Sequence, residues 1–70
     1  MRIKKFTNKT LTVIEYDDII LIGDAFKGQK IKKTKSNINE VLKELEKQGY
    51  TLQKKSKNKF GDIYYHLEKH

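Results

Sequence analysis

The sequence predicts an α+β domain: a small antiparallel sheet of about four to five short strands with one helix packed on one face, in the order β-β-(β)-α-β-β. Three observations carry this reading. The stretch from Asn37 to Gly49 has the start, the apolar face and the stop of a single helix. Runs of β-branched and aromatic residues, separated by turn formers, lie on both sides of it. The chain of 70 residues is one domain's worth, so residues 1–70 form one unit.

Ahead of the helix, residues 11–16 read Leu-Thr-Val-Ile-Glu-Tyr, and Ile19 to Ile22 form a second β-like run. Asp17 and Asp18 between them predict a tight hairpin turn, a weaker signal than Asn-Gly. Gly23-Asp24 and Lys27-Gly28 punctuate the next stretch. Gln29 to Lys33 reads as a short third strand with Ile31 inward, and Ile3 to Phe6 as another at the edge.

The helix spans about residues 38–48. Asn37 is its N-cap, and Glu40, three residues on, is the capping-box partner. Ile38, Val41, Leu42 and Leu45 fall at i, i+3, i+4, i+7 and make one apolar stripe. Glu40, Lys43, Glu44 and Lys47 take the wet side. Gly49 stands where a left-handed residue ends a helix, and Tyr50 follows where it can pack back onto Leu45.

Two strands follow. Tyr50, Leu52 and Lys54 alternate against Thr51 and Gln53. Ser56 to Lys59 reads as a polar turn and Phe60 to Leu67 as the last strand. There Ile63, Tyr65 and Leu67 point one way, and Tyr64, His66 and Glu68 the other.

A chain this short buries only about 60% of its unfolded surface, so it is marginal alone. It has no cysteine and two histidines, which leaves no disulfide and no thiolate metal site. Good packing or a homodimer must supply the stability. The longest apolar run is Ile19 to Ile22, far short of the roughly 20 residues that span a bilayer, so no membrane partner is expected. Residues 1–6 lack the apolar stretch of a signal peptide, which makes the cytoplasm the default location.

Few residues could carry catalysis. His66 and His70 share one face of a strand but stand roughly 13 Å apart at about 3.3 Å per residue, too far to chelate one ion. Asp17, Asp18 and Asp24 lack the regular spacing and closing glutamate of a calcium loop, and read as turn formers. None of Gly23, Gly28, Gly49 and Gly61 builds a phosphate-cradling loop before a helix. A ribonuclease using His66 with Lys54 or Lys55 is the weakest reading, because no spacing places a partner to orient the imidazole. No catalytic residue, metal ligand or cofactor is therefore assigned.

Charge gives the positive signal. The chain carries 16 basic and 9 acidic residues, a net +7, and every basic residue except Arg2 is lysine. Lysine is a flexible point charge, suited to attracting phosphate or acidic surface rather than to reading bases. No acid interrupts residues 25–39, where Lys27, Lys30, Lys32, Lys33 and Lys35 accumulate. None interrupts residues 47–61, where Lys54, Lys55, Lys57 and Lys59 do. If adjacent in the fold, the two windows make one cationic stripe able to track a phosphate backbone. Tyr64, Phe26 and His66 are the candidate interface or stacking residues, with Tyr64 set opposite Ile63 and Tyr65 by strand alternation. AT-rich coding is the bland explanation for so many lysines.

Residues 39–52, Asn-Glu-Val-Leu-Lys-Glu-Leu-Glu-Lys-Gln-Gly-Tyr-Thr-Leu, followed by an aromatic-rich last strand, resemble the family called domain of unknown function 4177. Residues 38–67 carry the resemblance, which implies a β-α-β-β core and no activity. The lysine-rich composition also looks like that of phage or mobile-element accessory proteins, which inhibit or modulate a host factor by binding it. The resulting expectation is a non-catalytic basic binding module with a protein partner. The alternative is a module that holds nucleic acid through its two lysine windows.

Overall fold

The computed structural model of the protein describes residues 3–24 and 27–70. Five strands and one helix follow in the order β1 (Thr10–Tyr16), β2 (Ile19–Gly23), β3 (Gly28–Lys32), α1 (Ile38–Lys47), β4 (Tyr50–Lys57) and β5 (Ile63–Lys69). The strands form one antiparallel sheet in the order β3-β2-β1-β5-β4. This is the α+β architecture that the sequence predicts. An N-terminal meander and a C-terminal hairpin meet at the β1–β5 seam, where Leu11 faces Leu67 and Val13 faces Tyr65.

Alternation along the strands decides the core. Leu11 and Val13, Ile20 and Ile22, Ile31, Tyr50, and Tyr65 and Leu67 all project from one face and are buried. Val41 and Leu45 of α1 close over them, with Ile38 and Leu42 packed at the margin. The stripe read from the helical spacing is therefore the face that docks. Tyr50 is buried beside Leu45 in this cluster, and its hydroxyl donates to the Asn8 carbonyl at 2.5 Å. Burial raises the Tyr50 phenol above its ordinary pKa, and the nearby charge of Asp24 adds to this.

The helix ends are built from identifiable side chains. Asn37 Oδ1 accepts from the Glu40 backbone N–H at 3.0 Å. The expected return bond goes elsewhere: the Glu40 carboxylate accepts from Asn37 Nδ2 at 3.0 Å and from the buried Ser36 hydroxyl at 3.2 Å. At the other end Gly49 takes φ +98°, a conformation that a side chain resists. Helix α1 stops at Lys47, with Gln48 as its C-cap.

Three local expectations change. First, Ile3 to Phe6 is not a strand. Phe6 is fully buried, and the segment's backbone is held by side-chain amides. Phe6 N–H donates to Gln48 Oε1 at 2.9 Å, Gln48 Nε2 donates to the Lys4 carbonyl at 2.9 Å, and Lys4 N–H donates to Gln29 Oε1 at 2.8 Å. Second, a bulge between Leu52 and Lys54 interrupts β4. Lys54 therefore pairs with His66 and leaves the face of Tyr50 and Leu52, which strict alternation would have given it. Third, β4 runs on to Lys57, and the hairpin loop is Asn58 to Asp62 rather than Ser56 to Lys59. Asn58 Oδ1 accepts from the N–H groups of Phe60 (2.9 Å) and Asp62 (3.0 Å), and Gly61 takes φ +91°.

Candidate binding face

The helix covers one side of the sheet. The other side carries no element among the described residues, and the pairing registers fix what it presents. One row across the strands reads Lys30, Leu21, Ile14, Tyr64, Ser56. The next reads Gly28, Gly23, Thr12, His66, Lys54. On the far side of the first row lie Lys32, Ile19 and Tyr16. Ile14, Tyr16, Ile19, Leu21 and Tyr64 are each half-buried. The open face thus has an apolar centre with Lys30 and Lys32 along one edge and Lys54 along the other.

The second row is low. Gly23 and Gly28 face each other across the β2–β3 ladder, so two adjacent positions have no side chain. Neither is a left-handed glycine. Among the described residues, a Cβ would meet nothing nearer than 3.8 Å at Gly23 or 3.6 Å at Gly28, which is ordinary contact. Neither the backbone conformation nor the packing of the described residues demands glycine at either position. A hollow of about 780 Å³ opens beside them, lined by Thr10, Thr12, Ile14 and Leu21 and carrying one charge of each sign, Lys30 and Asp24.

The two lysine windows sit on the two edge strands, with β2, β1 and β5 between them. At about 4.8 Å per strand step the edges are about 19 Å apart. They make no single stripe. Within the first window, only Lys30 and Lys32 lie in the open face. Lys27 Nζ donates to the Lys5 carbonyl at 3.1 Å, Lys33 pairs with Glu15 at 3.6 Å, and Lys35 is exposed in the turn before α1. Within the second, Lys54 joins the open face. Lys55 lies over the Tyr65 ring on the helix side, at 5.6 Å, and Lys57 is across from Ile63 on that same side. Lys59 sits in the hairpin loop over Phe60, at 5.3 Å. Lys30, Lys32 and Lys54 form no ion pair among the described residues.

Tyr64 lies between Ile14 and Ser56 in the apolar row, and His66 is exposed between Thr12 and Lys54. The third aromatic candidate, Phe26, lies outside the described residues. Among the described residues the most exposed apolar side chain is Phe60, 78% accessible, which lies at the hairpin tip and not in the last strand where the sequence predicts it. On the helix side, Tyr65 donates to Glu15 Oε1 at 2.8 Å, and Glu15 also receives Lys33. Burial first, then that hydrogen bond and the Glu15 charge, push the Tyr65 phenol up to about 12.

The apolar centre went unread from charge and aromatics alone, yet it has a sequence signal. Ile19 to Ile22 is apolar without alternation, and Ile14 and Tyr16 are apolar between Val13 and the turn. An uninterrupted run marks a strand that is apolar on both faces, not one with a wet side. Among the described residues no three histidine, aspartate or glutamate side chains come together as a metal site. No protein-family profile, curated protein or solved structure matches this chain.

Proposed function

We propose that the chain is a non-catalytic binding module that docks an acidic protein partner on the open face of its sheet. One observation carries this reading: Leu21, Ile14 and Tyr64 form an apolar row in the middle of an uncovered face whose edges hold Lys30, Lys32 and Lys54. Apolar contact in the centre and charge at the rim is the ordinary composition of a protein interface. Rim lysines add speed and selectivity for an acidic surface more than they add affinity. A module of this size acts by occupying a surface of a larger protein, in keeping with an inhibitor or modulator of a host factor.

A nucleic-acid reading has one observation in its favour. Tyr64 and His66 stand side by side on a central strand, with Lys54 across from His66. A single strand crossing the sheet there could stack one or two bases. Separation of the lysine windows weakens it, because a tracked phosphate backbone needs a continuous cationic path.

The test is capture from lysate with the wild-type chain, Ile14→Glu on the open face, and Lys43→Gln on the exposed side of α1. A protein retained by the wild type and by Lys43→Gln but lost by Ile14→Glu supports the reading. Retention that is indifferent to Ile14→Glu ends it. A single-stranded oligonucleotide that binds at about 50 mM salt, and is lost with Tyr64→Ala, transfers the face to nucleic acid.

A further inference from the structure

We infer that the element this face receives is an amphipathic helix with acidic flanks, seated with its closest turn over the Gly23–Gly28 hollow. This rests on the reading that the open face docks a protein, and adds what part of the protein arrives.

Backbone chemistry narrows the occupant first. Every strand beneath the apolar centre is already paired: β2 lies between β1 and β3, and β1 between β2 and β5. An extended segment laid on Leu21, Ile14 and Tyr64 would find no ladder partner, and its own N–H and C=O groups would lose water for nothing. A helix satisfies its backbone internally and presents only side chains. The sheet already accepts one helix this way on its other face, where Val41 and Leu45 are buried in one cluster with Val13 and Leu67.

Charge narrows it further. A second copy of this chain would bring its own net +7. Self-pairing face to face would set Lys30, Lys32 and Lys54 against the same lysines. A helix whose apolar stripe is bordered by glutamate or aspartate meets those lysines on both sides.

The glycines supply the third argument. Glycine in a strand is costly and weak, and here neither φ nor internal packing requires it. Two glycines facing each other do allow another backbone to approach closely. Laid along the strands between the two lysine edges, the guest has the length of β1 to cover, seven residues or about 23 Å, which matches a helix of about 15 residues at 1.5 Å each. The assembly is then a three-layer sandwich, with the sheet between α1 and the guest helix.

The probe is a synthetic 14-residue peptide with leucine at i, i+3, i+4 and i+7 and glutamate on its flanks. A lysine-flanked version and a version with prolines at its two central positions are its counterparts. Amide resonances of the isotope-labelled full chain report where each one binds. The glutamate peptide is expected to shift Thr12, Ile14, Leu21, Gly23, Gly28 and Tyr64, and the lysine peptide to shift none of them. Gly28→Val fills the hollow and is expected to weaken the glutamate peptide at least tenfold, with Gly28→Ala intermediate and Lys43→Gln unchanged. The spectrum of each free variant shows that it is folded.

Equal binding of the proline peptide at the same amides overturns the helix while leaving the docking face in place. Shifts confined to the outer edge of β4, residues 50–57, overturn it in favour of strand addition. A free chain that sediments as a dimer with these amides shielded assigns the face to a second copy, against the inference. No shift with any peptide also overturns it, and the lysate comparison of Ile14→Glu then decides separately whether the face docks a protein at all.

Discussion

Gln48→Ala should loosen the segment before β1 at a cost out of proportion to its position at an exposed helix end. The Gln48 amide makes two bonds to that segment, accepting from Phe6 N–H and donating to the Lys4 carbonyl, both at 2.9 Å. Phe6 is fully buried, so its N–H loses its partner away from water, a penalty of about 1–3 kcal/mol. The Lys4 carbonyl is exposed and regains water, which leaves a loss of about 0.5 kcal/mol there. The sum is about 2 kcal/mol. A domain of 70 residues holds roughly 4–10 kcal/mol in total, so this is a large share. The midpoint of thermal unfolding should fall by roughly 10 °C. Circular dichroism during heating gives the midpoint, and during urea titration the free-energy cost. Phe6→Ala, at about 3–5 kcal/mol, sets the ceiling, since both changes release the same segment. The double variant should therefore cost less than the sum of the two. Gln48→Glu keeps the acceptor and loses the donor, and should fall between Gln48→Ala and the wild type. A cost below about 0.5 kcal/mol for Gln48→Ala, or strict additivity with Phe6→Ala, would refute the clamp.

Three further outcomes are expected. The Tyr65 phenol is held up to about 12, above its ordinary 10, so the fold prefers its protonated form; that stability is complete below pH 10 and is lost as pH rises toward 12. Tyr65→Phe should flatten this alkaline loss, about 3 kcal/mol at most, in denaturant midpoints measured across pH 9–12. The glycines should divide into two classes by thermal unfolding. Gly61→Ala, at φ +91° with open space around it, should cost about 1 kcal/mol from conformation alone, while Gly28→Ala should be neutral or stabilising by up to about 1 kcal/mol. Asn58→Ala removes the acceptor for Phe60 and Asp62 N–H and should cost about 1–2 kcal/mol, with the loop amides of residues 59–62 exchanging faster with solvent.

Where local signals act within a few residues, they were legible. Asn37, the Ile38–Val41–Leu42–Leu45 stripe and Gly49 each specify part of α1 by contact with near neighbours, and the helix follows them to within one residue at its C-terminus. Strand existence was similarly readable from β-branched runs. Strand order was not, because pairing β1 with β5 joins residues as far apart as Thr10 and Glu68, and no local pattern encodes that. The same gap hid the site. Lys30 and Lys54 read as two basic windows in the chain, and only the order of strands shows that they bound opposite sides of one face. Alternation also failed at Gln53, where one extra residue turns Lys54 from one face to the other. The side-chain clamp of Gln48 on Lys4 and Phe6 had no signature, since any glutamine at a helix end looks alike until its distant partner is in place.

The β1–β5 seam has a consequence for how the molecule comes into being. A chain made from its N-terminus exposes β1, β2 and β3 first, and these can form a meander with α1 beginning to fold behind them. Until residues 63–69 arrive, β1 is an open edge, rich in valine, isoleucine and leucine and guarded by no lysine between Thr10 and Tyr16. The lysines that protect the finished sheet stand on β3 and β4, so the unfinished one is protected on only one side. Folding therefore waits on the last strand, and the interval before it arrives is when this chain is most open to pairing with the wrong neighbour. Slowing synthesis near the end of β4, or shortening β5, should raise aggregation well before it lowers the stability of whatever does fold.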